Sequence, residues 1–145
     1  MDIYLDNCSL HRPLDDRTQL RIQLEAEAVL SIIILCEQGI HALISSEALV
    51  FEARRNPNAQ SREIISEILT LATSVVSITD AVKHRATAFE ANGFGSMDAL
   101  HLACAEAAGA EYFCTCDDRL LKRAKHQRDS HVKVVSPLEL AEEIM

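Results

Sequence analysis

Short apolar stretches alternate with longer helical patterns from one end of the chain to the other, and this alternation restricts the fold more than any other feature. Ile3-Tyr4-Leu5-Asp6, His41 to Ser45, Val75 to Ile78, Tyr112 to Thr115 and Val132 to Val135 read as short strands rich in β-branched and aromatic residues. Consecutive strands are separated by more than a dozen residues, too many for hairpins, so the pairing is expected to be parallel. Right-handed crossovers then give an α/β fold, a three-layer α/β/α sandwich around a central parallel sheet of four to five short strands. The strands are mostly apolar, as a sheet covered on both faces requires. The chain has 145 residues and no repeat, linker or low-complexity stretch, so residues 1–145 read as one domain.

The helices are punctuated by caps and breakers. After a turn around His11-Arg12-Pro13, Asp15 or Asp16 is expected to cap a long helix that runs to Gln38 and stops at Gly39. Ser46 caps a short helix through Arg54, ended by Asn56-Pro57-Asn58, and another helix spans about Gln60 to Ala72. Thr79 or Asp80 starts the next, which ends before Asn92-Gly93; Ser96 caps an Ala-rich helix from Met97 to Ala108. Asp117 opens a basic helix and Pro137 begins the last one.

Composition removes several function classes. The longest apolar run, Ala28 to Cys36 with Ser31 inside it, is nine residues, against about 20 for a membrane-spanning helix. The N-terminus carries acids where a signal peptide carries a basic segment, so export is not expected and a cytoplasmic location is. Five scattered cysteines fit a reducing compartment, and Cys114-x-Cys116, without a second cluster, fits a buried strand better than a zinc site. A formal charge of −8 argues against a broad basic surface for nucleic acid. It does not argue against a nuclease whose acids are the site itself, because two bound divalent ions would halve it.

In open parallel sheets ligands bind outside the carboxyl ends of the strands. Asp6 closes the first strand, Asp117 follows the fourth, Glu52 lies in the helix after the second, and Asp98 is in the first turn of the Ala-rich helix. These four converge if the first and fourth strands are neighbours. Carboxylates crowded within about 4–6 Å raise one another's pKa, and a divalent cation relieves that. An all-oxygen set favours Mg²⁺ or Mn²⁺ over Zn²⁺. Two such ions could activate a water and stabilise the leaving oxygen in phosphodiester cleavage. Neither a Ser, Cys or His nucleophile arrangement nor a Gly-rich phosphate loop competes.

Around this set, Asp118 reads as an auxiliary metal ligand or a solvated neighbour, about 100° round the helix from Asp117. His101, one turn after Asp98, reads as a supporting histidine or a ligand. Asn7 and Thr115 are placed to hydrogen-bond the acids or a bound water. The basic run Arg119, Lys122, Arg123, Lys125 and Arg128 is either an RNA-contacting rim or a solvated helix face, and Arg54 and Arg55 beside Glu52 carry the same two readings.

Three segments resemble the PIN-domain family, which includes the VapC-like toxin components of many bacterial toxin–antitoxin pairs. They are Ile3-Tyr4-Leu5-Asp6-Asn7-Cys8-Ser9, Ser46-Glu47-Ala48-Leu49-Val50-Phe51-Glu52, and Met97-Asp98-Ala99-Leu100-His101-Leu102-Ala103 with Gly109 and Tyr112 to Asp117. The likeness spans nearly the whole chain in element order. It implies a Mg²⁺- or Mn²⁺-dependent endoribonuclease (a hydrolase) with the matching acids as metal ligands, and it allows an antitoxin partner. Glu47 rivals Glu52, from which it points about 140° away on a helix; the family spacing from Ser46 favours Glu52. A homodimer is expected from the general habits of small proteins.

Three other readings are open to the same residues. One is a catalytically inactive PIN-like binding module whose acidic cleft takes a basic partner segment. A phosphoacceptor receiver domain normally needs paired acids after the first strand and a Lys after the last, where this chain has Asn7 beside Asp6 and Ser136-Pro137. A haloacid-dehalogenase-like phosphatase needs Asp-x-Asp, and position 8 is Cys.

Overall fold

Four parallel pairings build one five-stranded sheet in the order β3-β2-β1-β4-β5, from β1 (Asp2–Leu5), β2 (Ala42–Ser46), β3 (Ser74–Val76), β4 (Tyr112–Cys114) and β5 (Lys133–Val135). The computed structural model describes residues 1–127 and 129–145; Arg128, the last member of the basic run, lies outside the described residues. The sheet is parallel as expected, and β1 lies at its centre beside β4, in register Ile3 with Tyr112 and Leu5 with Cys114. The order in which strands are added reverses at the β1–β4 boundary, since β2 and β3 lie on one side and β4 and β5 on the other. That boundary is the crevice where such sheets bind ligands.

Among the described residues eight α-helices join or follow the strands: α1 (Asn7–His11), α2 (Leu20–Glu37), α3 (Glu47–Arg54), α4 (Ala59–Leu69), α5 (Asp80–Ala91), α6 (Ser96–Ala107), α7 (Asp118–Ala124) and α8 (Pro137–Ile144). α2 packs on α8, whereas α5 and α6 pack on each other, with α6 also against β2 and β3. Side chains alternate across the sheet, so Tyr4 points to the α6 side, where it meets His101, and its neighbours Ile3 and Leu5 point to the other. Tyr4 also stacks on Phe113 of β4 with ring centroids 5.3 Å apart, which fixes the two central strands side by side.

Boundaries depart from expectation where local hydrogen bonding competes. The segment after Asp6 is helical, α1 and a 3-10 turn over Arg12–Leu14, because Asp6 caps it by accepting from the Ser9 amide at 3.0 Å. Neither Asp15 nor Asp16 caps α2. Asp15 is taken by His11 at 2.8 Å and Arg12 at 3.0 Å, and Asp16 accepts from the Thr18 amide, so the helix starts later, at Leu20. Ser96 is the first residue of α6 and not its cap; Gly95 holds that position. Ser46 and Thr79 do cap α3 and α5, and Ser136 with Glu139 forms a reciprocal capping box on α8.

An unexpected buried ion pair braces α2. Glu25 is 2% exposed and faces Arg12 at 3.3 Å and Arg21 at 3.6 Å. The Arg12 contact is a charge contact without aligned hydrogen-bond geometry. No helix of the described residues is long and apolar enough to cross a membrane. All five cysteines are free; four are buried and Cys8 is partly so.

Candidate metal and nuclease site

The carboxyl edge of the sheet collects the acids through helix starts. Asp6 leaves β1 with its amide still in the ladder, donating to the Cys114 carbonyl at 3.1 Å, and its carboxylate turns back to cap α1. Asp117 does the same for α7, accepting from the amides of Arg119 at 2.9 Å and Leu120 at 3.4 Å. Asp98 lies in the first turn of α6, where the helix dipole favours an acid, and Glu52 projects from α3.

Thr115 braces the start of α7, its fully buried hydroxyl accepting from the Asp117 amide at 3.1 Å. Burial pushes the Asp6 carboxyl well above its ordinary range; Cys8 adds to the rise, while Thr115 and the Ser9 amide oppose it. The Cys8 thiol donates to Asp6 at 3.1 and 3.3 Å, a partner hidden in a sequence where cysteine reads as a small hydrophobe. Burial also raises the Asp98 carboxyl, and the charges of Asp117 and Glu52 raise it further, against a lowering by His101.

Glu52 is held by a buried relay. The Leu49 amide donates to Ser46 Oγ at 3.1 Å, Ser46 Oγ lies 2.7 Å from the Tyr4 hydroxyl, and that hydroxyl lies 2.6 Å from His101 Nδ1. His101 Nε2 bonds the Glu52 carboxylate. Burial holds the Tyr4 phenol well above its ordinary pKa. Its hydroxyl bridges Ser46 Oγ and His101 Nδ1, and His101 in turn meets Glu52, so each polar member of the buried chain has a partner. Glu47 is committed elsewhere, accepting from the Ile78 amide at 2.7 Å and tying α3 to the segment after β3. Tyr4→Phe is expected to leave Nδ1 and Ser46 Oγ without their partner and lower stability by about 1–3 kcal/mol, measurable by urea unfolding.

The remaining candidates fall on both sides of the site's boundary. Asn7 opens α1 next to Asp6, partly exposed. Asp118, expected as an auxiliary ligand or a solvated neighbour, is solvated. Its side chain is 61% exposed and Arg21 grips it at 2.7 and 2.9 Å, which holds its carboxyl below the usual range. Arg54 and Arg55 are exposed on α3, and Arg55 lies over the Phe51 ring at 5.2 Å.

A cavity of about 670 Å³ opens directly beside Asp98 and Asp117, walled by the Gly93–Gly95 loop and by Arg119, Lys122, Arg123 and His126 of the basic helix and its end. The sequence reading placed the cations near the site but had no signal for the loop opposite them.

All-oxygen donors suit a hard divalent ion, and one bound beside Asp98 would offset the charges of Asp117 and Glu52 that raise its carboxyl. Among the described residues no three His, Cys, Asp or Glu side chains stand close enough to close on one ion. Asp6 is turned to its helix cap and Glu52 to His101, so binding requires these side chains to swing inward.

The family model described as PIN domain matches residues 3–126. Among solved structures, FitAcB from Neisseria gonorrhoeae is similar with a TM-score of 0.61 at 16% identity, covering 94% of this chain and 98% of that one. VapBC2 from Rickettsia felis, bound to a DNA fragment from their promoter, is similar with a TM-score of 0.57 at 14% identity, covering 94% and 98%. At these identities the likeness is one of fold. No curated protein sequence matches the chain.

Proposed function

The chain belongs to the PIN-domain family, whose members are generally nucleases that use divalent ions, and from that premise we propose that it is a Mg²⁺- or Mn²⁺-dependent endoribonuclease. The observation that supports this reading is the cavity that joins Asp98 and Asp117 to the cations Arg119, Lys122 and Arg123 at the carboxyl edge of the sheet. Asp6, Glu52, Asp98 and Asp117 are the residues that would hold the ion or ions. A divalent ion bound there supplies an acidified water as nucleophile and charge compensation for the leaving oxygen of a phosphodiester.

The chain's own groups do the positioning. Thr115 holds the backbone at Asp117, and His101, anchored through Tyr4 and Ser46, limits the directions Glu52 can take. Asn7, at the start of α1, is placed to orient a bound water. Arg119, Lys122 and Arg123 meet the phosphates of RNA on the cavity wall, so a locally basic face serves a chain whose total charge is −8. Purified protein with Mn²⁺ is expected to cut RNA and to stop when EDTA removes the metal; RNA left intact at every Mn²⁺ concentration would contradict the reading.

An antitoxin-like protein partner or a second copy of the chain is the proposed occupant of the exposed apolar stripe of α2. That stripe includes Leu20, Leu24 and Ile34, which are 72%, 44% and 51% exposed. A basic segment of the partner would be attracted to the acidic cleft. Sedimentation of the isolated chain reads the homodimer directly: a concentration-independent monomer removes that part of the proposal.

A further inference from the structure

We propose that Cys8 and Cys116 are a redox pair that peroxide oxidises to a disulfide, and that closing the bridge displaces the Asp6 carboxylate. The inference goes beyond the nuclease reading, because it concerns a covalent change within the chain itself.

The fold brings together two cysteines 108 positions apart, one in α1 and one in the β4–α7 connection. The Cys116 amide donates to Cys8 Sγ at 3.4 Å, and the two thiols hydrogen-bond each other. A disulfide needs its β-carbons about 3.5–4.5 Å apart. A sulfur already against its partner's own amide reaches that geometry by side-chain rotation. Cys8 is partly exposed and Cys116 is buried, so peroxide meets Cys8 first. The Cys8 sulfur attacks one peroxide oxygen, the O–O bond breaks, and the released hydroxide leaves as water with the thiol proton. The Cys116 sulfur then attacks the sulfenic sulfur of Cys8, the S–O bond breaks, and a second water leaves with the Cys116 proton. Two thiols have lost two electrons to one peroxide. In a reducing compartment such a bridge is transient and serves sensing, not structure.

Asp6 registers the change. While reduced, the Cys8 thiol donates its only proton to the Asp6 carboxylate, at 3.1 and 3.3 Å from its two oxygens. In the disulfide that proton is gone, and the same contact sets sulfur lone pairs against carboxylate oxygens. The carboxylate must turn, with the Ser9 amide at 3.0 Å as its remaining hold on α1. Cys8 is therefore a positioning residue for Asp6, and only in its thiol form.

The bridge is read by treating the full chain with hydrogen peroxide, digesting it without reduction and sequencing the peptides by tandem mass spectrometry. A Cys8–Cys116 bridge is expected, two hydrogen atoms lighter than the dithiol and lost on adding dithiothreitol. Cys116→Ser should form no bridge and leave Cys8 as a sulfenic acid that dimedone traps. In the metal-free protein the carbon-13 signal of the Asp6 carboxyl, assigned by its loss in Asp6→Asn, should move on oxidation and return on reduction. Calorimetric Mn²⁺ affinity should fall at least about tenfold in the oxidised chain, as when an outer partner of a metal ligand is removed. No bridge, a bridge to Cys114 instead, or an Asp6 signal or Mn²⁺ affinity unmoved by the bridge overturns the proposal. A chain whose Asp6 signal moves with the bridge but which binds no Mn²⁺ in either state loses the nuclease reading and keeps this one.

Discussion

Asp98→Asn is expected to lower Mn²⁺-dependent RNA cleavage by more than about 100-fold, because outer partners of metal ligands already cost about 10–100-fold when removed. The same substitution should stabilise the protein when no metal is present. Burial and the charges of Asp117 and Glu52 raise the Asp98 carboxyl in the folded state above its unfolded value. A carboxyl raised in this way contributes stability below its unfolded pKa and loses it as pH rises through the folded pKa. At neutral pH the metal-free wild type has therefore lost that contribution, and its unfolding midpoint should climb as the solution is acidified toward the folded pKa. Asn carries no charge, so it removes both the penalty and this part of the pH dependence. Thermal unfolding in EDTA between pH 7 and mildly acid conditions reads both effects. A variant less stable than wild type in EDTA at pH 7 would show that Asp98 works for the fold and not for an ion.

Glu25→Ala is the substitution expected to cost most in stability, about 3 kcal/mol by urea denaturation. Glu25 is 2% exposed, and its removal leaves the Arg12 guanidinium, itself only 19% exposed, without its buried counter-charge. Breaking a buried pair costs about 3–5 kcal/mol. The lower end applies because Arg12 retains Asp15 at 3.0 Å and Arg21, 52% exposed, turns to solvent. Replacing both partners together, Arg12→Leu with Glu25→Met, should recover most of the loss, since the cost lies in the orphaned charge. A loss below about 1 kcal/mol for Glu25→Ala would mean that water already reaches the pair.

Much of this architecture was legible in the residues, and the failures have common causes. The parallel sheet followed from the distance between apolar stretches, and β1 and β4 are the neighbours that the expected meeting of Asp6 and Asp117 requires, with Tyr4 stacked on Phe113 between them. Helix starts were readable where a Ser or Thr had no rival partner, as at Ser46, Thr79 and Ser136. They were misread at Asp15, where His11 and Arg12 claim the carboxylate first. The Tyr4–His101 contact joins residues 97 positions apart and has no local signature. Glu25 is opaque for a related reason: an acid on an amphipathic helix looks solvated until a distant arginine folds over it. Gly93 was legible only as a turn, because nothing local signals that the Arg123 side chain of α7 lies against it. At Asp118, adjacency to Asp117 leaves both readings open, because its pairing with Arg21 of α2 has no local signal.

Titration calorimetry of Mn²⁺ into the metal-free protein asks most directly whether carboxylates from four elements act as one cation receptor. Wild type should bind at least one ion per chain. Asp6→Asn and Asp98→Asn should each abolish the heat while Asp118→Asn leaves it intact. Identical isotherms for wild type and the Asp6 and Asp98 variants, or no binding by any of them, would contradict the account.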